Sequence, residues 1–129
     1  MGTYLMDTNA AIDLLDGLLP KKAAIWLNSS INSNDVVISV INKIELLGFH
    51  ASPQTYESLQ NLINSIEVLD LADVIVNQTI ELKKIKKIKL PDAIIAATAL
   101  VHNLTIVSRN KSDFKNIDGL KCIDPYTDI

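Results

Sequence analysis

Four of the 15 Asp and Glu residues in the chain stand where metal-assisted phosphate chemistry needs them. Asp7 follows the apolar run Tyr4-Leu5-Met6, and Thr8 and Asn9 come next. Glu45 lies within the first two turns of a helical pattern that begins after Val36-Val37-Ile38 and Ser39. Asp92 directly follows Pro91 at the head of an apolar helix. Asp113 sits in Asn110-Lys111-Ser112-Asp113, the loop after Thr105-Ile106-Val107. In a parallel α/β sheet, groups that follow a strand or open the next helix become neighbours at the carboxyl ends of the strands, where ligands bind.

A set of carboxylates without His or Cys suits Mg²⁺ or Mn²⁺, hard cations that prefer oxygen ligands and keep several waters. Such an ion lowers the pKa of bound water and stabilises charge developing on a phosphate, and two ions about 3.5–4 Å apart can divide those tasks. Phosphodiester hydrolysis is the natural reaction. Without a cation, clustered carboxylates raise one another's pKa. Each acid also has a structural reading. Asp7 and Asp92 complement helix N-termini, Glu45 is a solvated helix residue, and Asp113 stabilises a turn. Their shared position at one sheet edge is what the structural readings leave unexplained.

The elements that must position these acids follow from local patterns. Asp7-Thr8-Asn9 offers capping residues ahead of a helix over Ala10 to Leu15, and Leu19-Pro20 opens a second helix carrying Ala23, Ala24, Trp26 and Leu27. The polar stretch Asn28 to Asn34 ends it before the strand Val36–Ile38. Val40, Ile44 and Leu47 recur at helical spacing after a Ser39 cap, with Ile41 beside them, and Gly48 weakens the end of that helix. Ser52-Pro53 starts another, with Tyr56, Leu59, Leu62, Ile63 and Ile66 on one face, followed by a brief strand at Val68-Leu69. A long amphipathic helix spans Ala72 to Ile88. Pro91 marks the next helix start, the run from Ala93 to Val101 is buried, and Thr105–Val107 and Lys121–Ile123 are short strands. Strands alternating with helices imply a central parallel sheet covered on both faces.

Length and composition frame the same picture. A chain of 129 residues, 48% hydrophobic with mean hydropathy +0.22, buries a core of ordinary size, so one domain over residues 1–129 is expected. The single cysteine, Cys122, excludes an intramolecular disulfide and a Cys₂ or Cys₄ zinc site. No signal-type n-region and h-region begins the sequence, and no stretch reaches bilayer length, so a soluble cytoplasmic protein is expected without membrane association. Net charge −3 and pI ≈ 5.2 exclude nucleic-acid binding by bulk electrostatics and leave local lysines and a cation to offset the acids.

The segments Leu5-Met6-Asp7-Thr8-Asn9, Ser39 to Leu46, Leu90 to Ala99 and Ile106 to Phe114 together resemble PIN-domain ribonucleases, with the VapC-type toxins as the nearest branch. The resemblance covers essentially the whole chain, and four ordered motifs are far more specific than one acid. It implies a three-layer α/β/α domain around a short-stranded parallel sheet. It implies Asp7, Glu45, Asp92 and Asp113 as catalytic and metal-binding acids, with Thr8, Asn9, Ser39 and Asn110 orienting carboxylates, waters or phosphate. It also implies an endoribonuclease acting on single-stranded or loop RNA, tRNA among the candidates. A cognate antitoxin would control it, and a second copy of the chain would form a homodimer. Some family members carry an aspartate where this chain has Asn110.

Other residues carry less chemistry. Lys83, Lys84, Lys86, Lys87 and Lys89 lead toward Asp92 and could meet phosphates, but Leu82 and Ile85 mark an apolar face whose solvated complement such lysines usually form. Arg109 is the single arginine. His50 and His102 have no partner by spacing and are assigned to structure or surface. Trp26, Tyr56 and Phe114 could stack on bases, but core packing is the commoner role, and Phe114 is expected to anchor the loop of Asp113. The apolar positions Ile12, Leu15, Leu18 and Leu19 could provide an antitoxin or homodimer surface. Two rival functions predict different behaviour: a catalytically inactive RNA- or protein-binding module on the same scaffold binds without turnover, and a phosphoacceptor signalling domain forms an aspartyl phosphate.

Overall fold

Local capping sets where the helices begin. The Asp7 side chain accepts the Thr8 amide, Ser39 accepts the Ile41 amide, and Ser52 accepts the Thr55 amide just ahead of Pro53, each satisfying a donor that a helix start leaves open. The computed structural model describes residues 2–129. In chain order these form β1 (Tyr4–Met6), α1 (Thr8–Leu15), α2 (Lys21–Asn32), β2 (Val36–Ser39), α3 (Val40–Gly48), α4 (Pro53–Asn64), β3 (Glu67–Leu69), α5 (Asp73–Ile85), α6 (Leu90–His102), β4 (Thr105–Val107), a 3₁₀ turn at Lys111–Phe114, and β5 (Lys121–Ile123).

The five strands make one parallel sheet in the order β3-β2-β1-β4-β5. Strand alternation divides the core into two layers. Met6, Ile38 and Val107 point into the layer built with Ala10, Leu27, Leu46 and Leu59 of α1 to α4. Leu5, Val37 and Ile106 point into the layer built with Ile75, Leu82 and Ile95 of α5 and α6. Leu5, Met6, Ile106 and Val107 are fully buried, each side chain contributing about 1.5–3 kcal/mol relative to exposure. Helices on both faces of a parallel sheet make the expected three-layer α/β/α fold.

Several details differ from the sequence expectation. The polar stretch expected to break the second helix is mostly helical: α2 runs to Asn32, because Ile31 is buried and the Ser30 hydroxyl donates back to the Trp26 carbonyl at 2.9 Å. On α3, Ile44 is 61% exposed, and the inward positions are Asn42 and Leu46. Ile44 lies about 200° from each of them around the helix; the polar demand at the end of β2 turns Asn42 inward and sends Ile44 to solvent. α5 ends at Ile85, three residues before Ile88. Its inward face is Ile75, Thr79 and Leu82, whereas Ile85 is 73% exposed and does not extend that face. Lys86 is already extended, and the Lys83 ammonium holds the Ile88 carbonyl at 2.6 Å, fixing a connection that swings the chain into α6. β3 begins one residue early, at Glu67.

Phe114 is buried and packs in the α5–α6 layer, as expected of an anchor. Trp26 is half-buried, edge-on to Tyr4 with ring centroids 4.9 Å apart. Tyr56 is half-buried and donates to the Phe49 carbonyl. His50 is exposed and His102 half-buried. Of the N-terminal apolar group, Leu19 is buried while Leu15 and Leu18 are exposed. Among the described residues no helix is long and apolar enough to cross a membrane.

Candidate active site

β1 is the central strand, with β2 on one side and β4 on the other, so the direction of the chain's winding switches beside it. A crevice opens at the carboxyl end of such a switch point. Asp7 stands there. Its amide donates to the Val107 carbonyl at 3.0 Å, and because Met6 pairs with Val107, Ser108 emerges from β4 beside it.

Asp7 is held from four sides. Oδ1 accepts the Thr8 amide at 2.9 Å and lies 3.5 Å from Asn42 Nδ2, while Oδ2 accepts the Ser108 hydroxyl at 2.9 Å and Asn9 Nδ2 at 3.2 Å. Asn9 Nδ2 also reaches Ser108 Oγ at 3.0 Å, and its Oδ1 accepts the Arg109 amide at 3.1 Å. The Asn110 amide donates to Ser108 Oγ at 3.0 Å, so Asn110 enters the network through its backbone. Burial pushes the Asp7 carboxyl above the ordinary carboxylate value; the Ser108 and Thr8 hydrogen bonds pull it back, and the Asp113 charge pushes it up again.

Glu45 joins the same wall through Thr8, whose hydroxyl donates to Glu45 Oε1 at 2.8 Å. Asn42 Nδ2 donates to that hydroxyl at 3.2 Å, and Asn42 Oδ1 accepts the Ser39 amide at 2.9 Å. Ser39 therefore acts on the site through Asn42. Across the crevice, Asp92 lies in the first turn of α6 and Asp113 in the 3₁₀ turn, both lining a cleft of about 370 Å³. The Asp92 carboxyl is raised by burial first, then by the charges of Asp113, Asp7 and Glu45, with Lys89 opposing. All four predicted acids thus share one electrostatic field.

Asn42 and Ser108 are site residues that the sequence reading did not single out. Asn42 is legible in part, since Ser39-x-x-Asn42 has the spacing of a capping box with Asn at the last position. Ser108 needs the β1–β4 register, which nothing local reveals. A third feature is the buried Asp13. Its carboxylate accepts Arg109 Nη1 at 2.9 and 3.1 Å and the Tyr126 hydroxyl at 2.9 Å, tying α1 to the loop after β4 and to the C-terminal segment. The single arginine is thereby committed to the fold.

Among the described residues no three His, Cys, Asp or Glu side chains stand close enough to hold a metal ion by themselves. Mg²⁺ typically takes one or two carboxylates and completes its shell with waters and substrate phosphates. The all-oxygen set, with carboxyls on both walls held above their ordinary pKa by burial and mutual charge, fits that mode of binding. One or two of Asp7, Glu45, Asp92 and Asp113 would ligate the ion directly, and the others would reach it through its waters.

A parallel α/β/α sheet with acids at its central switch point defines a class of acid-centred α/β domains. The chain belongs to the PIN domain family, whose sequence pattern matches residues 4–120. No curated protein matches the sequence. Solved structures do. A toxin-antitoxin complex from Klebsiella pneumoniae is 28% identical, with TM-score 0.75, covering 95% of this chain and 98% of that one. DNA-bound VapBC from Salmonella typhimurium is 25% identical, with TM-score 0.80, covering 97% and 99%. VapBC-1 from nontypeable Haemophilus influenzae is 26% identical, with TM-score 0.75, covering 95% and 97%.

Proposed function

We propose that this chain is a divalent-metal-dependent endoribonuclease, the toxin of a toxin–antitoxin pair, acting in the cytoplasm as one domain over residues 1–129. The observation that carries the reading is the placement of the four acids at the carboxyl ends of the strands: Thr8 bonds both Asp7 and Glu45, Asp92 and Asp113 line one cleft facing them, and the charges of Asp113, Asp7 and Glu45 raise the Asp92 carboxyl. A protein gains nothing in stability from such an arrangement, and groups perturbed in this way cluster at functional sites.

When bound, Mg²⁺ or Mn²⁺ would neutralise the carboxylates, acidify a water and offset charge on the phosphate. The residues do the rest. Thr8, Asn9, Asn42 and Ser108 fix both oxygens of Asp7 before any ligand arrives, so no reorganisation is needed at that wall. The Thr8 hydroxyl fixes one oxygen of Glu45, and the other accepts no hydrogen bond among the described residues. Asp92 and Asp113 face the open cleft and adjust to the substrate.

The antitoxin reading is supported by the resemblance to toxin–antitoxin complexes and by exposed Leu15, Leu18 and Phe49. A hollow of about 260 Å³ lined in part by Ile12, Leu15 and Phe49 lies there. A homodimer is proposed on the same resemblance and is read out by sedimentation. The deciding experiment is cleavage of total RNA with EDTA, Mg²⁺ or Mn²⁺, beside folded Asp7→Asn and Asp92→Asn proteins. Cleavage should need the metal and vanish in both variants. Undiminished cleavage in both overturns the assignment.

A further inference from the structure

The lysines between α5 and α6 divide into two groups. Lys83 binds the Ile88 carbonyl, and Lys84 pairs with Glu81 at 3.2 Å; both serve the fold. Lys86, Lys87 and Lys89 line the cleft that holds Asp92 and Asp113, together with Lys115 from beyond the 3₁₀ turn. None of these four makes an ion pair or side-chain hydrogen bond among the described residues, whereas Lys111 nearby is paired with Asp128 at 2.9 Å.

The early end of α5 creates this arrangement. Continued as a helix, consecutive lysines would fan out by about 100° per residue. The extended backbone at Lys86 and Lys89 instead lays the segment along the cleft. Four lysines against two aspartates line it, in a chain of net charge −3, so positive charge is concentrated beside the acids. Lysines without protein partners, converging from two loops on one polar cleft, suit successive phosphates of a flexible strand, for which compact ammonium groups on long stems are well matched.

We propose that Lys86, Lys87, Lys89 and Lys115 form a track for the phosphodiester backbone of single-stranded RNA, holding the strand on the Asp92–Asp113 side of the site. This rests on the endoribonuclease reading of the same site. The track draws in the polyanion that the acids repel, and it reads backbone rather than bases.

The test measures binding of a fluorescent oligouridylate in EDTA, where cleavage does not intervene, across a salt series. The K86Q/K87Q/K115Q protein should bind roughly tenfold or more weakly at low salt, with the slope of log affinity against log salt reduced by about 2. Lys89 is left intact because it flanks Asp92. A control, K21Q/K22Q/K121Q, removes three exposed lysines away from the cleft and should bind within about twofold of wild type, and K86R/K87R/K115R should restore affinity. Unchanged binding in the cleft variant, an equal loss in the control, no binding by wild type, or equal displacement by an acidic peptide of matched charge each overturns the track. Wild-type binding through these lysines with no cleavage in Mg²⁺ or Mn²⁺ overturns the enzymatic reading and leaves the track standing.

Discussion

The two walls of the crevice are built on opposite plans. On the Asp7 wall every carboxylate oxygen of Asp7 has a donor, and Thr8, Asn9, Asn42 and Ser108 are themselves held. On the facing wall Asp92 and Asp113 make no side-chain hydrogen bond among the described residues, and unpaired lysines stand beside them. In the proposed reaction the difference would separate two tasks: one carboxylate is aimed in advance, and the others are left free to meet an ion and a strand. Preorganisation lowers the cost of the first task, and carboxylates without protein donors suit the second.

The largest effect should come from breaking the aimed wall. Asp7→Asn is expected to lower kcat/KM for RNA by at least about 100-fold without rescue by excess Mn²⁺, whereas Asp113→Asn should lose about tenfold and recover partly as Mn²⁺ rises. Equal losses with equal rescue in a metal titration would erase the distinction. Next in size is Ser108→Ala, which leaves every acid in place but removes a donor from Asp7 Oδ2. A loss of about 10- to 100-fold in kcat with the melting temperature nearly unchanged is expected, and single-turnover kinetics measure it.

A smaller effect tests how the aimed wall is anchored. Tyr126→Phe takes one donor from the buried Asp13 carboxylate, and it should cost about 1–3 kcal/mol in urea unfolding while the site chemistry persists. The smallest effect is a pH dependence of the open wall. Asp92 is held above its ordinary value of 3.8. Between that value and the raised one, the metal-free native state binds more protons than the unfolded chain, so stability falls as pH rises through the window. Asp92→Asn should therefore melt above wild type at pH 7 without metal, with the difference closing toward pH 4 and shrinking again in saturating Mg²⁺. A variant that melts below wild type at pH 7 in calorimetry contradicts the strain assigned to this wall.

Much of this was legible in the sequence because the acids sit at punctuation points. Strand ends, caps and the Pro91 start are local signals, and they carried the alternation of strands and helices and the sheet-edge address of all four residues. Long-range polar structure was not legible. Asp13, Arg109 and Tyr126 come from three distant segments, and neither residue type nor spacing announces that they meet. Ile44 misled for a related reason: apolar periodicity assumes that the inward face is oily, whereas α3 turns Asn42 inward to serve Ser39, Thr8 and Asp7. At Lys86 the amphipathic pattern ran past the real end of α5, because the bound Ile88 carbonyl is a feature of the connection and leaves no trace in periodicity.

The pairing of β1 with β4 has a consequence in time. Asp7 and Ser108 are 101 residues apart, and Asp13 and Tyr126 are 113 apart. Synthesis proceeds from the N-terminus, so a growing chain displays Asp7 long before the groups that aim it exist. The Asp7 carboxylate gains its full set of donors only after Ser108 has been made, so on the proposed reading a chain shorter than that carries an unaimed and inactive site.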